Sequence, residues 1–212
     1  MTPIMTEAQA LIRAVEQADS APRLVAAVRD LAAAEVEAGI STLIAVLGYN
    51  NPTAAVAAVQ GLIQIGSPAV QPLIEQLDDY NYGARAYAIR ALAAIADPRA
   101  LDILLASAAT DFAPSVRRAA AKGLGNLRWS ELSTQQQTAA QAKVLETLAF
   151  IAQDADWSIR YAAVVGLQGL ATTSELTPQI QDKFAQILET EKDAAVRSRV
   201  QLAQSQLFST TF

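Results

Sequence analysis

The chain has 212 residues, 52% of them hydrophobic and only 6% aromatic, with alanine at about a fifth of all positions; this is too apolar for disorder and enough for one ordinary domain or a short repeat array. Sixteen Lys and Arg against twenty-one Asp and Glu give a net charge of -5, a poor electrostatic footprint for a phosphate backbone, so non-specific nucleic-acid binding is not expected. Cysteine and histidine are absent, which removes thiol nucleophiles, disulfides, imidazole bases, catalytic triads and Cys-based metal sites and leaves chemistry to carboxylates, Lys, Tyr, Ser, Thr or a partner molecule.

In chain order, the segment from Met1 to Arg13 has no basic stretch followed by an apolar core, and no uninterrupted apolar run approaches the roughly 18 residues of a membrane helix. A soluble, cytoplasmic protein with no membrane insertion is expected. The first helical face is Leu24, Ala27, Leu31 and Ala34. An amphipathic segment follows at Ile40, Leu43, Ile44 and Leu47, then a turn from Gly48 to Pro52, then a second face at Ala55, Ala58, Leu62 and Ile65. The same alternation returns with Val70, Leu73, Ile74 and Leu77 before Arg85, Ala88, Leu92 and Ile95. It returns again with Leu101, Leu104 and Leu105 before Arg117, Ala120, Leu124 and Leu127. After a polar stretch, Ser130 to Ala140, come Val144, Leu145 and Leu148 before Arg160, Ala163, Leu167 and Leu170. Ser133 and Gln136 have capping-box spacing, which predicts a longer helix there. A degenerate last copy pairs Ile180, Phe184, Ile187 and Leu188 with Arg197, Val200, Gln204 and Leu207.

The leucine column at 31, 62, 92, 124 and 167 has the spacing of stacked two-helix units. Alanine three residues into each copy places a small side chain where helices approach closely, and Gly61, Ala91, Gly123 and Gly166 repeat that at the sixth offset. Pro52, Pro68, Pro98 and Pro114 mark helix boundaries. These patterns predict an all-α protein, an α-solenoid superhelix of about five to six HEAT-like two-helix repeats. One array spans 1–212, with repeats near 17–37, 38–66, 67–96, 97–128, 139–171 and 175–207.

Asp79 and Arg85, Asp111 and Arg117, and Asp154 and Arg160 share a six-residue spacing. It places a carboxylate in the turn and a guanidinium at the next helix start, so that stacked repeats bridge to one another as in the Asp/Arg ladder of HEAT-type repeats. On the Arg-bearing helices, the offsets facing away from the packing seam collect Tyr87, Arg90, Arg118, Lys122 and Tyr161. Tyr49, Tyr80, Tyr82 and Trp157 occupy turns at the same edge. In a protein so poor in aromatics, such a strip suits a flat conjugated ligand carrying carboxylates, with rings lying along aromatics while Arg holds the acids. Solvated helix faces carry Lys and Arg too; the co-location with aromatics favours the ligand reading. Asp156 and Asp111 are the nearest carboxylates for ligand N–H groups. No Gly-rich phosphate loop and no metal cluster is present.

The stretches Asp79–Leu92, Ala96–Leu101 and Asp111–Ala120 resemble the E/F-type phycobilin lyases of cyanobacteria and red algae, specifically their smaller F subunits. The resemblance implies a heterodimer with an E (alpha) subunit that carries an open-chain tetrapyrrole, phycocyanobilin, to the apo-phycocyanin alpha subunit. There an acceptor cysteine adds across the ethylidene group of the bilin A ring. It also implies phycobilisome association, no cofactor beyond the bilin substrate, and a nucleophile supplied by the acceptor. Members that isomerise the bilin carry a His/Cys motif, which this sequence lacks, so simple attachment, with possible reversal, is expected. Under this reading Tyr87, Arg90, Arg118, Lys122, Trp157 and Tyr161 bind bilin on the concave face, and Asp156, Tyr80 and Tyr82 are the candidates for proton handling. The competing reading is a non-catalytic HEAT-repeat scaffold or chaperone in phycobilisome assembly or turnover.

Overall fold

The computed structural model describes residues 3–77 and 81–209, with side chains described for 7–77 and 81–207. All its regular structure is helical, and the chain divides into two compact units, Met1–Ile95 and Ala96–Phe212. The first unit contains α1 (Pro3–Glu16), α2 (Ala21–Ala33), α3 (Ile40–Leu47), α4 (Pro52–Ile65), α5 (Val70–Glu75) and α6 (Tyr82–Ile95). The second contains α7 (Leu101–Thr110), α8 (Pro114–Leu124), α9 (Thr134–Ile151), α10 (Trp157–Ala171), α11 (Thr177–Thr190) and α12 (Ala194–Ser209). In each unit the helices pair in sequence. The second members of the pairs then stack, α2 on α4 on α6 in one unit and α8 on α10 on α12 in the other. This is the α-solenoid arrangement of HEAT-like repeats. α1 packs on α2 and supplies a partner helix lying before residue 17, ahead of the first sequence repeat.

The heptad-like offsets explain the packing. Leu31, Leu62, Leu92, Leu124 and Leu167 are all fully buried, and each contributes about 2–3 kcal/mol of apolar burial. Ala58, Ala120 and Ala163 are buried beside them. The glycines mark the closest contacts. A Cβ on Gly61 of α4 would lie 2.6 Å from the Cβ of Ala32 on α2, and one on Gly166 of α10 would lie 2.3 Å from the carbonyl oxygen of Ala121 on α8. Gly125, one residue past α8, is tighter still, its absent Cβ falling 2.0 Å from the Gly166 carbonyl oxygen. The two backbones touch there, which no larger residue permits.

Helix boundaries follow local chemistry. Asn51 caps α4 through the Ala54 N–H at 3.1 Å, and Pro52 takes the first helical position, where its missing N–H costs nothing. Gly66 ends the same helix at φ +75°, the left-handed region that glycine enters freely. Ser133 and Gln136 form the reciprocal capping box of α9, which runs for 18 residues. Among the described residues no single helix is long and apolar enough to cross a membrane. α4 and the segment Ser67–Glu75 reach that length only as a pair bent by 116°.

Candidate functional site

The arginine ladder organises the second unit. Arg117 of α8 donates through Nε to the Ala108 carbonyl near the end of α7, 3.1 Å away, and its Nη2 lies 2.6 Å from Oδ2 of Asp154 in the turn after α9. Arg160 of α10 repeats this plan. It donates to the Asp154 carbonyl at 2.8 Å and forms a two-pronged pair with Glu191 at 2.6 and 2.9 Å. Arg197 of α12 donates to the Leu188 and Glu191 carbonyls at 2.7 and 2.9 Å. Arg117 and Arg197 thus satisfy orphan carbonyls in the last turn of their own repeat's first helix, the negative end of that helix dipole, while Arg160 takes carbonyls of the turn that follows α9. Arg117 and Arg160 also meet a carboxylate from the following repeat. The Arg160 guanidinium, with the Asp193 and Lys192 N–H groups, holds the Glu191 carboxyl down to about 2 despite its burial. Asp79 lies outside the described residues.

Glu191 is a further rung of the ladder, with glutamate where the other turns carry aspartate. It precedes Arg197 by the same six residues that separate Asp154 from Arg160, so accepting either acid at that position reveals it.

Beside the ladder, the turn into α10 assembles a second set of groups. Asp156 is the N-cap of α10, its Oδ1 accepting from the Ser158 N–H at 2.8 Å and the Ser158 hydroxyl at 2.7 Å. Those two bonds, aided by Arg118 and Arg160, hold its carboxyl below the usual aspartate range. Nη1 of Arg118, on α8, donates to Ser158 Oγ at 3.0 Å. A relay runs from a half-buried guanidinium through a hydroxyl to a carboxylate. Trp157, the first residue of α10, is 50% exposed beside it. Tyr161, one turn on from Ser158, is half-buried. Lys122, in the last turn of α8, is exposed.

Of the residues singled out from sequence, the second unit therefore brings Arg118 into direct contact with the Asp156 turn. Trp157 and Tyr161 flank that turn on the same helix start, and Lys122 lies one helical turn along from Arg118. The first unit holds Tyr82, Tyr87 and Arg90. Tyr82 begins α6 and is 60% exposed. The guanidinium of Arg90 lies over the half-buried Tyr87 ring, 5.8 Å from its centroid, a cation–π contact between neighbours one helical turn apart. Tyr80 lies outside the described residues. Asp111 accepts from the Ala113 N–H at 2.8 Å and shapes the turn into α8.

Two cavities lie elsewhere. One of about 680 Å³ sits between the C-terminal ends of α9 and α11, walled by Ala149, Lys183, Ile187 and the Arg160–Glu191 pair. Another of about 590 Å³ runs between α2 and α4 in the first unit, bordered by Arg29, Ala32, Val56 and Gln60. Asp97 was not anticipated either. It is buried against Arg99 at 2.7 Å and Arg128 at 3.3 Å, tying the short helical turn Pro98–Ala100 to the segment before α9. Among the described residues no group of three or more carboxylates is placed to hold a metal ion.

Relatives of the chain share both the repeat and its length. The HEAT repeats family matches residues 40–125 and 70–142. The phycocyanobilin lyase subunit beta of Nostoc sp. PCC 7120 is 60% identical over 196 residues, covering 92% of this chain and 98% of that protein. The phycocyanin alpha phycocyanobilin lyase CpcF of Synechocystis sp. PCC 6803 is 50% identical over 93% of this chain and 92% of its own. Among solved structures, that of the complex of CpcE and CpcF of phycocyanin lyase from Nostoc sp. PCC 7120 superposes with a TM-score of 0.77 at 62% identity, covering 79% of this chain and 98% of that one. A designed armadillo repeat protein, 18% identical with a TM-score of 0.53 over 93% of this chain and 98% of its own, shares the fold alone. With identity at this level over nearly the whole of both proteins, the chain belongs to the family of phycocyanobilin lyase beta subunits built from HEAT repeats.

Proposed function

We propose that this chain is the beta subunit of a two-subunit lyase that attaches phycocyanobilin to a cysteine of the phycocyanin alpha subunit. The observation that carries this reading is 60% identity to a phycocyanobilin lyase beta subunit across both chains, together with a fold matching one subunit of a solved lyase heterodimer. The acceptor supplies the thiol, which accounts for activity in a chain without cysteine. In the net step the acceptor S–H adds across the ethylidene double bond of the bilin A ring. The S–C bond forms, the π bond opens, and the proton goes to the neighbouring ring carbon, so no oxidant or cofactor is consumed.

The lyase's part is to hold pigment and acceptor in register, which is worth about 7 kcal/mol or more of barrier when reacting groups are well oriented. Arg118, with Lys122 nearby, takes a bilin carboxylate, and Trp157 and Tyr161 lie along the rings. In the first unit Tyr87 and Arg90 form an aromatic–cation pair of their own that suits a conjugated acid. Asp156 is ionised at neutral pH, so it acts as a proton acceptor and as the anchor of Arg118 rather than as an acid. Tyr82 and Tyr80 are the proton donors in this scheme. A cytoplasmic, phycobilisome-associated setting follows from the substrates. Co-expression with the partner subunit, the apo-phycocyanin alpha subunit and bilin-producing enzymes, followed by mass spectrometry of the acceptor, tests the reading. A bilin–cysteine adduct that needs this chain supports it. A stoichiometric complex without adduct favours a scaffold.

A further inference from the structure

The second unit contains one arginine whose surroundings differ from all its neighbours. Arg99, Arg117, Arg128 and Arg160 each pair with a carboxylate, Arg197 with helix-end carbonyls, and Arg118 with the Ser158–Asp156 relay. Arg199, on α12, donates Nη2 to Oε1 of Gln168 on α10. Its Nη1 is buried and has no hydrogen-bond partner. Burial holds its guanidinium below the usual arginine range, with Tyr161 acting in the opposite sense. Gln168 is itself fixed, its Nε2 donating to Oε1 of Gln206 on α12 at 2.5 Å. A buried donor on a charged group, left without an acceptor, is destabilising.

The position completes a pattern along α10. Ser158, Tyr161, Val165 and Gln168 fall at helical offsets of three, seven and ten, one stripe about 15 Å long. All four remain partly exposed. Arg118 reaches the first of them from α8. Arg199 reaches the last from α12 and touches the field of Tyr161 in the middle. Two guanidiniums therefore approach, from the two neighbouring helices, one stripe that carries Tyr161 at its middle.

We propose that Arg199, positioned by Gln168, is a second carboxylate anchor on this stripe and binds a propionate of the bilin, with Arg118 holding the other. The assignment rests on the lyase reading above. The guanidinium fork offers Nη1 and Nη2 to the two oxygens of one carboxylate, a planar match that a lysine does not provide. The side chain as a whole is partly exposed, and a small rotation brings Nη1 to the incoming acid. The unsatisfied donor of the ligand-free protein is then the group that ligand binding satisfies.

The test uses the full chain with its partner subunit, titrated with phycocyanobilin and with its dimethyl ester, for the wild type, Arg199→Gln and Arg199→Lys. Arg199→Gln is expected to weaken the free acid about tenfold or more, the worth of a charge-assisted pair, and to leave the ester unchanged. Arg199→Lys should fall between. Because the glutamine removes an unpaired buried donor, its melting temperature should equal or exceed that of the wild type. Unchanged affinity for the free acid in Arg199→Gln overturns the assignment while the lyase reading stands. Equal losses for acid and ester with a lower melting temperature also overturn it, marking Arg199 as structural. A wild-type complex that takes up neither pigment overturns the lyase reading and this anchor with it.

Discussion

Arg117 and Asp154 lie 2.6 Å apart across two consecutive repeats, each side chain 17% exposed, and each also serves its own repeat. Arg117 binds the Ala108 carbonyl while Asp154 accepts the Asp156 N–H at 2.8 Å. The ion pair is therefore welded to a helix end on one side and to the cap of α10 on the other.

Removing either partner strands a half-buried charge. Arg117→Ala and Asp154→Ala should each cost about 2–3 kcal/mol, with a coupling of about 1 kcal/mol in the double variant. Urea unfolding of the three variants measures this. Strict additivity would show that the bridge carries no energy.

The Arg160–Glu191 pair sets an acid limit. Glu191 titrates near 2 in the folded protein against about 4.5 unfolded, so its contribution is complete above pH 4.5 and is lost as pH falls toward 2. The pair borders an open cavity, so its worth is about 1–2 kcal/mol rather than the full linkage value. Melting temperatures from pH 6 to pH 2.5 should fall less steeply in Glu191→Gln than in the wild type, with the two curves converging at the acid end.

The α8–α10 crossing tolerates no side chain. Gly166→Ala sets a methyl against the Ala121 carbonyl and the side chain of Leu148, and should destabilise by about 3 kcal/mol or more. Gly83, at the start of α6, meets nothing closer than 3.5 Å. Gly83→Ala should be neutral or stabilising by about 0.5 kcal/mol. Thermal melts of the two variants give the contrast directly.

The Asp156–Ser158–Arg118 relay should matter more for pigment than for folding. Arg118→Glu replaces an attraction for a carboxylate by a repulsion and should weaken phycocyanobilin uptake about tenfold or more. Asp156→Asn keeps a capping oxygen but removes the charge behind Ser158, and should give a smaller loss, about threefold. Absorbance titration of the complexes reads both. Equal affinity in all three proteins would remove Arg118 from the site.

Much of the scaffold was legible because it is periodic. The buried leucine column and the glycine at 166 follow from offsets along a helix, and a period is visible in one chain. The six-residue Asp/Arg spacing predicted the contact of Arg117 with Asp154 for the same reason. What stayed hidden depends on pairings between repeats that no short-range spacing signals. Arg199 finds Gln168 thirty-one residues away, and Asp97 finds Arg128 at the same separation, with nothing in either local sequence to announce it. Asp156 shows a further limit. Its place in a turn beside aromatics was readable, but its carboxyl is held below the usual aspartate range chiefly by a hydroxyl two residues on that only the cap geometry brings within 2.7 Å.

The ladder also gives the stack a direction. Arg117 and Arg160 receive their counter-charges from the repeat that follows, never from the one before, so each pair of helices is left electrically open until its successor has docked. Taking away α11 and α12 removes the carboxylate that answers Arg160, whereas taking away α7 and α8 removes the guanidinium that answers Asp154. Each added pair of helices thus neutralises a charge left by the pair before it.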